Sequence, residues 1–462
     1  MIRTLAGGTA ALALLLAPLA ATAQAADPAA DNALHILTRS IGFRTVEGAG
    51  QVPAYAAWLK GLLVDGGYAD SDVQIESIGE TAALIARWPG SDPDLKPLVL
   101  LAHMDVVQAD PADWTRDPFT AVVENGYVYG RGALDNKADL SVLVATLIQL
   151  RQSGWTPRRS IVLALSGDEE TAMTTGRWLA QQLRDAEMVL NADAGGGLLA
   201  EDGTPSVYKL QAAEKTYADY TLTVTDAGGH SSRPGPTNAI YRLNAALTRL
   251  AAYKFPVSYS PITTAYIAAT GPRVTGPSGE ALRRLAVDPA DAEAIAVLNA
   301  DPEYVGLIRT TCIATMINGG HAPNALPQRA TANVNCRIFP GTTMARIQTT
   351  LTGIMADPGV TVAYQDSGTV DAPSSPLRPD LTAAITAAVH ARAPGLPIVP
   401  TMEAGATDTM HFRALGVPGY GVSSVFMKPS DDFAHGLNER LPVATLAPGV
   451  RQWDSLLRTL AQ

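Results

Sequence analysis

The sequence predicts an α/β protein: a mixed, largely parallel sheet flanked by helices, interrupted by an inserted ferredoxin-like α+β segment. Three observations lead there. Residues 97–107 (PLVLLAHMDVV), 160–166 (SIVLALS) and 187–193 (EMVLNAD) are short, almost wholly apolar runs, the pattern of strands covered on both faces of a parallel sheet. Between them, residues 137–152 place Leu140, Val144, Leu147 and Leu150 at helical spacing, and residues 174–184 read as another helix. Beyond about residue 212 the order becomes strand (YADYTLTVT), helix (NAIYRLNAALTRLAAY), two strands (TCIATMIN, ATANVNCRIF), helix (ARIQTTLTGIM) and strand (VTVAYQD).

These changes of period divide the chain. Residues 26–212 form the first part of the main domain, 213–368 an inserted second domain, and 369–462 the return to the first, opening with LRPDLTAAITAAVHAR as a helix. Residues 270–302, rich in Pro, Gly, Ala and Asp, carry no interpretable pattern. Residues 1–25 read as a signal peptide: Arg3 precedes a short apolar run, and Ala23, Gln24 and Ala25 suit cleavage. Gly7, Gly8 and Pro18 interrupt that run, which is shorter than the roughly 20 residues a membrane span needs. The expected protein is therefore exported, periplasmic or secreted, with no membrane attachment in its mature form.

A composition of 47% apolar and 17% charged residues describes an ordered globular chain. A net charge of -10, without clustered Lys and Arg, argues against nucleic acid as a partner. Cys312 and Cys336 are too few for a disulfide framework, and the sequence leaves their pairing open.

The stretch IVLALSGDEETA (161–172) runs an apolar strand into Asp168, Glu169 and Glu170 with no basic residue beside them. Crowding carboxylates is costly unless a cation compensates. In a parallel sheet, ligands bind beyond the carboxyl ends of the strands. His103 and Asp105 close one apolar run, Glu169 and Glu170 follow another, Asp193 ends a third, and Asp135 sits in the turn before a helix. Singly, Asp135 also suits a helix N-cap, Asp193 a turn, His103 a hydrogen-bonded core and His435 an exposed loop. Together they suit bound metal, which satisfies all of them at once.

Imidazole and carboxylate ligands without thiolates point to two Zn²⁺ ions, with Co²⁺ or Mn²⁺ as alternatives. Asp135 is assigned as the bridge, His103 and Asp193 to one ion, Glu170 and His435 to the other. Glu169 is the candidate general base, passing a proton from the activated water to the leaving nitrogen. Asp105 is expected to accept the second N–H of His103 and fix its ligating tautomer.

HMDVV, WTRDPF, YGRGALDNKADL, SGDEE, NAD, AGGHSSRPG, NALPQ, CRIFPG, GATDTMHF and HGLNER occur in that order between about residues 95 and 442. In this the chain resembles the co-catalytic zinc metallopeptidases of the aminoacylase and carboxypeptidase G type. That family includes acetylornithine deacetylase, succinyl-diaminopimelate desuccinylase and carboxypeptidase S. The resemblance implies a zinc-peptidase catalytic domain with an inserted lid through which subunits form a homodimer. It further implies that His230 reaches the partner subunit's site to polarise the scissile carbonyl, that Asn324 and Arg337 hold the substrate carboxylate, and that the Asp135–Asn136 peptide is cis. Met410 stands where many relatives have arginine, Ala138 where a glycine is usual and Asn335 where an acidic residue is common. The expected activity is hydrolysis of an amide next to a free carboxylate, in small peptides or, alternatively, in N-acyl amino acids. A periplasmic protein that binds metal or solute without turnover is the remoter alternative.

Overall fold

The computed structural model describes residues 28–462; the expected signal segment, 1–25, lies outside the described residues. The described chain opens with helices α1 (Pro28–Ile41) and α2 (Val52–Asp65) and strands β1 (Val73–Ile78), β2 (Thr81–Trp88) and β3 (Leu98–His103). A hairpin, β4 (Val122–Glu124) and β5 (Tyr127–Tyr129), precedes α3 (Lys137–Gln152), β6 (Ile161–Ser166), α4 (Thr174–Gln182), β7 (Met188–Asn191), β8 (Gly196–Leu199) and β9 (Pro205–Glu214). Then come β10 (Thr216–Thr225), β11 (Gly229–His230), α5 (Ala239–Ala252), α6 (Pro261–Thr270), α7 (Gly276–Val287), α8 (Ala292–Ala300), β12 (Thr311–Gly319), β13 (Ala325–Leu326), β14 (Arg329–Ile338), α9 (Met344–Met355) and β15 (Val360–Gln365). The last elements are α10 (Pro379–Arg392), β16 (Ile398–Glu403), α11 (Thr409–Ala414), β17 (Gly419–Gly421), β18 (Phe426–Met427), β19 (Arg440–Pro442) and α12 (Leu446–Leu460).

Ten strands make one sheet in the order β1-β2-β6-β3-β7-β17-β9-β8-β18, with β16 beside β9. At its centre β6, β3, β7 and β17 run parallel, while β1 and β2 form an antiparallel edge. This is the expected α/β sheet. The wholly apolar runs follow from its two covered faces: Leu98, Leu100 and Ala102 enter the core built with α1, α3, α10 and α12, whereas Val99 and Leu101 enter the opposite core with Leu179 and Phe412.

A second, antiparallel sheet has the order β12-β14-β10-β15, with α5 and α9 packed through Leu243 and Leu351 against Leu222 and Val334. Lys215 alone separates β9 of the first sheet from β10 of the second. Residues 270–302, uninterpretable in the sequence, run from the last residue of α6 through α7 and α8, and the three helices enclose their own core of Ile267, Leu282, Leu285 and Leu298. Their starts are locally specified: Ser260 and Thr263 form a capping box before α6, and Asp291 caps α8. Cys312 and Cys336 face each other across β12 and β14 and are joined as a disulfide.

Leu100 is fully buried at the centre of β3. Leu100→Ala is expected to cost about 2–5 kcal/mol, read as a lower midpoint in chemical denaturation.

Candidate metal centre and active site

The register of the parallel strands decides what meets at the edge of the sheet. His103 pairs with Ser166 and Leu101 with Asn191, so the segments holding Glu169, Glu170 and Asp193 leave the sheet on the side of His103. A second pairing brings in the remaining residues. Arg440 at the start of β19 lies opposite Tyr129 at the end of β5, placing the loop that carries His435 beside the loop that carries Asp135.

The Asp135 carboxylate lies between the two imidazoles: Oδ1 is 2.9 Å from His103 Nε2, and Oδ2 is 3.2 Å from His435 Nε2. Asp193 Oδ1 is 3.4 Å from His103 Nε2, and Glu170 Oε1 is 2.9 Å from His435 Nε2. Ligand atoms of His103, Asp135 and Glu170, and those of His103, Glu169 and Asp193, gather within 4.8 Å of one another. The peptide between Asp135 and Asn136 is cis, as the resemblance implied.

The three consecutive carboxylates have separate surroundings. Asp168 accepts the N–H groups of Thr174 and Thr175 and caps the start of α4. Glu169 is buried against His103 and Asp193, and Glu170 faces His435. Asp105 lies behind His103, its carboxylate Oδ1 3.5 Å from His103 Nδ1. Its backbone carbonyl, 3.0 Å from His103 Nδ1, accepts that N–H and leaves Nε2 free to ligate. The same carboxylate also accepts the N–H groups of Glu169 at 3.1 Å and Glu170 at 3.0 Å, because the chain has left β3 and turned towards them.

Glu439, which the sequence reading did not single out, ties the centre together. Its fully buried carboxylate accepts the N–H groups of Gly132, Leu134 and Asp135 at 2.9, 2.7 and 3.0 Å, and pairs with Arg131 at 2.7 Å. Arg131 also donates to the carbonyl of Gly436 at 3.2 Å. The only sequence trace of this knot is an acid and a base lying in two of the quoted motifs.

The described chain does not bring every expected residue to this centre. His230 on β11 and Asn324 just before β13 lie together where these two short strands, distant in sequence, pair at the exposed surface; the Asn324 carbonyl accepts the Ser231 N–H at 3.0 Å. Neither lines the cavity of about 330 Å³ that contains Asp135 and Asp193. Arg337 lies on β14, stacks on Tyr217, and donates to the Ala404 carbonyl at 2.8 Å beside that cavity. Met410 is buried and, three residues on, Arg413 pairs with Glu214 in the interior.

Electrostatics test whether dications suit these residues. Burial pushes Asp193 up to about 7, with Asp135 and Glu170 adding to the effect. Burial likewise raises Glu169, assisted by Asp193 and Asp408 against the opposing pull of His103. Burial disfavours a charged His103, yet Asp193, Asp105 and Asp135 hold its pKa well above the usual imidazole value. Hydrogen bonds that the His435 imidazolium donates to the Asp135 and Glu170 carboxylates push its pKa up to about 10. Among the described residues no lysine or arginine makes an ion pair with Asp135, Asp193, Glu169 or Glu170. This donor set, two imidazole Nε2 atoms and an excess of carboxylate oxygens, fits divalent metal.

Such a fold and donor set define a metallopeptidase-type hydrolase. The chain belongs to peptidase family M20/M25/M40, whose family model matches residues 99–459. It is 33% identical to the N-fatty-acyl-amino acid synthase/hydrolase PM20D1 of Mus musculus over 278 residues, 58% of this chain and 54% of that protein. It is 29% identical to carboxypeptidase S of Saccharomyces cerevisiae over 291 residues, 60% of this chain and 50% of that protein. The chain thus spans about half the length of these curated relatives. In fold it is similar to the M20 family metallo-carboxypeptidase Sso-CP2 from Sulfolobus solfataricus, with a TM-score of 0.71, 18% identity, and 93% of this chain and 99% of the other covered.

Because Asp193 holds its proton up to about 7 and His435 up to about 10, an incoming ion displaces protons from both. Zinc affinity is therefore expected to increase with pH up to about 10, most steeply below about 7, where both groups hold protons. Titration calorimetry in buffers of different ionisation enthalpy should register the released protons; buffer-independent heats would contradict this.

Proposed function

We propose that this chain is an exported dinuclear zinc hydrolase that cleaves the amide bond next to a free carboxylate. The observation carrying this reading is the Asp135 carboxylate, with one oxygen towards each imidazole and Asp193 and Glu170 on either side. His103 and Asp193 would hold one ion, Glu170 and His435 the other, and Asp135 both. Bound there, two divalent ions supply Lewis acidity that polarises the carbonyl and acidifies water.

The chain's own residues supply the rest. Glu169, buried with a raised pKa, takes a proton from the attacking water on its carboxylate and delivers it to the leaving nitrogen. The Asp105 carboxylate fixes the backbone from which both glutamates project. Arg337, with Asn324, engages the substrate carboxylate, and His230 of a partner subunit polarises the scissile carbonyl. A partner subunit is favoured for that role because His230 is exposed and does not line its own chain's cavity. The β12 edge supports a homodimer: Ile313, Met316 and Ile317 are 67%, 63% and 62% exposed on the unpaired rim of the second sheet. The Cys312–Cys336 disulfide agrees with export to an oxidising compartment. Among the described residues no helix is long and apolar enough to cross a membrane.

Small peptides are the first substrate reading. N-acyl amino acids are the second, favoured by the similarity to PM20D1. Rates of zinc-reconstituted protein on dipeptides and on N-acetyl amino acids separate the two, and zinc binding without any hydrolysis would instead favour a binding protein. Glu169→Ala is expected to lower kcat about 10²- to 10⁴-fold while zinc stoichiometry by elemental analysis stays unchanged. Full activity in that variant would remove Glu169 from the mechanism. Ile317→Asp is expected to convert the dimer to monomer in sedimentation velocity, and an unchanged sedimentation coefficient would place the interface elsewhere.

A further inference from the structure

Next to the metal cavity lies a second chamber of about 280 Å³. The two share Lys209, midway along β9, and Glu403, at the end of β16, in their walls, so they lie side by side. Three cations, Lys209, Lys215 and Arg337, and two carboxylates, Glu303 and Glu403, line the second chamber, an excess of one positive charge. Its outer wall comes from the insertion: Tyr266 on α6 and the turn Tyr304 to Leu307 that follows α8.

Lys215 is the feature that demands an explanation. It is only 2% exposed, its Nζ donates to the Arg309 carbonyl at 2.8 Å, and no carboxylate pairs with it among the described residues. An ammonium has three donors, and burying it without a counter-charge is costly. Burial and the nearby Arg337 accordingly push Lys215 down to about 7. The side chain is nevertheless held in place. Its backbone N–H donates to the Glu403 carbonyl at 2.9 Å, and a Cβ on Gly306 would lie 3.3 Å from Nζ, so the insertion closes directly over the ammonium.

We propose that this chamber receives the carboxylate-bearing half of the substrate and that Lys215 is its anchoring cation, clamping one carboxylate together with Arg337. This rests on the hydrolase reading above and adds to it a binding residue and a role for helices α6 to α8. One bound carboxylate balances the excess charge of the lining and supplies the counter-ion that Lys215 lacks. Because Lys215 is the single residue joining the two sheets while Arg337 rides on β14, the clamp takes one cation from the junction and one from the second sheet.

The test uses zinc-loaded full-length protein with N-acetylalanine against N-acetylalaninamide, and Ala-Ala against its C-terminal amide. Wild type should favour each free acid. Lys215→Met should shrink that preference about tenfold or more, through KM rather than kcat, the loss expected for one charge-assisted contact, and Lys215→Arg should restore it. A folded Lys215→Met protein with an unchanged acid preference overturns the proposal. If Lys215→Met prevents folding, Lys215→Gln, which removes the charge and keeps a donor for the Arg309 carbonyl, decides on the same rates: a reduced acid preference supports the clamp, and an unchanged one overturns it. Turnover of both pairs with an acid preference independent of Lys215 would leave the hydrolase standing and remove the chamber. Lys215-dependent binding of the free acid without hydrolysis would do the reverse.

Discussion

Burying Asp135, Asp193, Glu169 and Glu170 together takes negative charge out of water, and the described chain sets only two imidazoles against it. Much of the architecture reads as the means of enforcing that arrangement. Parallel strands with all their side chains packed into two cores hold His103, the Glu169–Glu170 turn and Asp193 at one edge. The buried Glu439 and Arg131 pair then fastens the Asp135 loop to the His435 loop, using backbone N–H groups as the donors that stabilise the Glu439 charge. His435 itself adopts a left-handed backbone with φ of 61°, a conformation that a non-glycine residue keeps only where its surroundings impose it.

The two sheets divide the labour. The large sheet presents the ligand cluster, the four-stranded one carries Arg337 on β14, and His230 and Asn324 sit at the separate two-stranded β11–β13 pair. Between them, the helical insertion packs α6 against β16 and turns back over Lys215. The disulfide holds Cys336, the immediate neighbour of Arg337, to the exposed edge strand, so the rim of the second sheet and the clamp residue are mechanically continuous.

The fold class was legible because central strands are buried on both faces: β3, β6 and β7 leave no polar alternation to confuse them with an exposed sheet. The convergence of His103, Glu169, Glu170 and Asp193 followed from strand ends alone, since adjacent parallel strands must end on a common edge. Less was legible where contacts are long-range. The Glu439 bond to the Asp135 N–H spans 304 positions, and the Lys215 bond to the Arg309 carbonyl spans 94, with no periodicity to announce either. Asp105 illustrates a finer limit. Its spacing from His103 suggested one partner, and the chain's change of direction where the strand ends gave the carboxylate two more that the spacing could not show. Helices α6 to α8 were hidden because their cores are small and their flanks are rich in Gly, Pro and Asp, residues that punctuate loops as readily as they cap helices.

The knot between the two loops also has a consequence in time. His435 and Glu439 come more than two hundred positions after Asp193, and the whole second sheet is made in between. A polypeptide still emerging from the ribosome therefore carries His103, Asp135, Glu169 and Asp193 with neither the second imidazole nor the acid that orders the bridging loop. The centre is complete only once the second sheet and the loop after β18 have both been made, and a chain cut short within that sheet holds only part of the cluster.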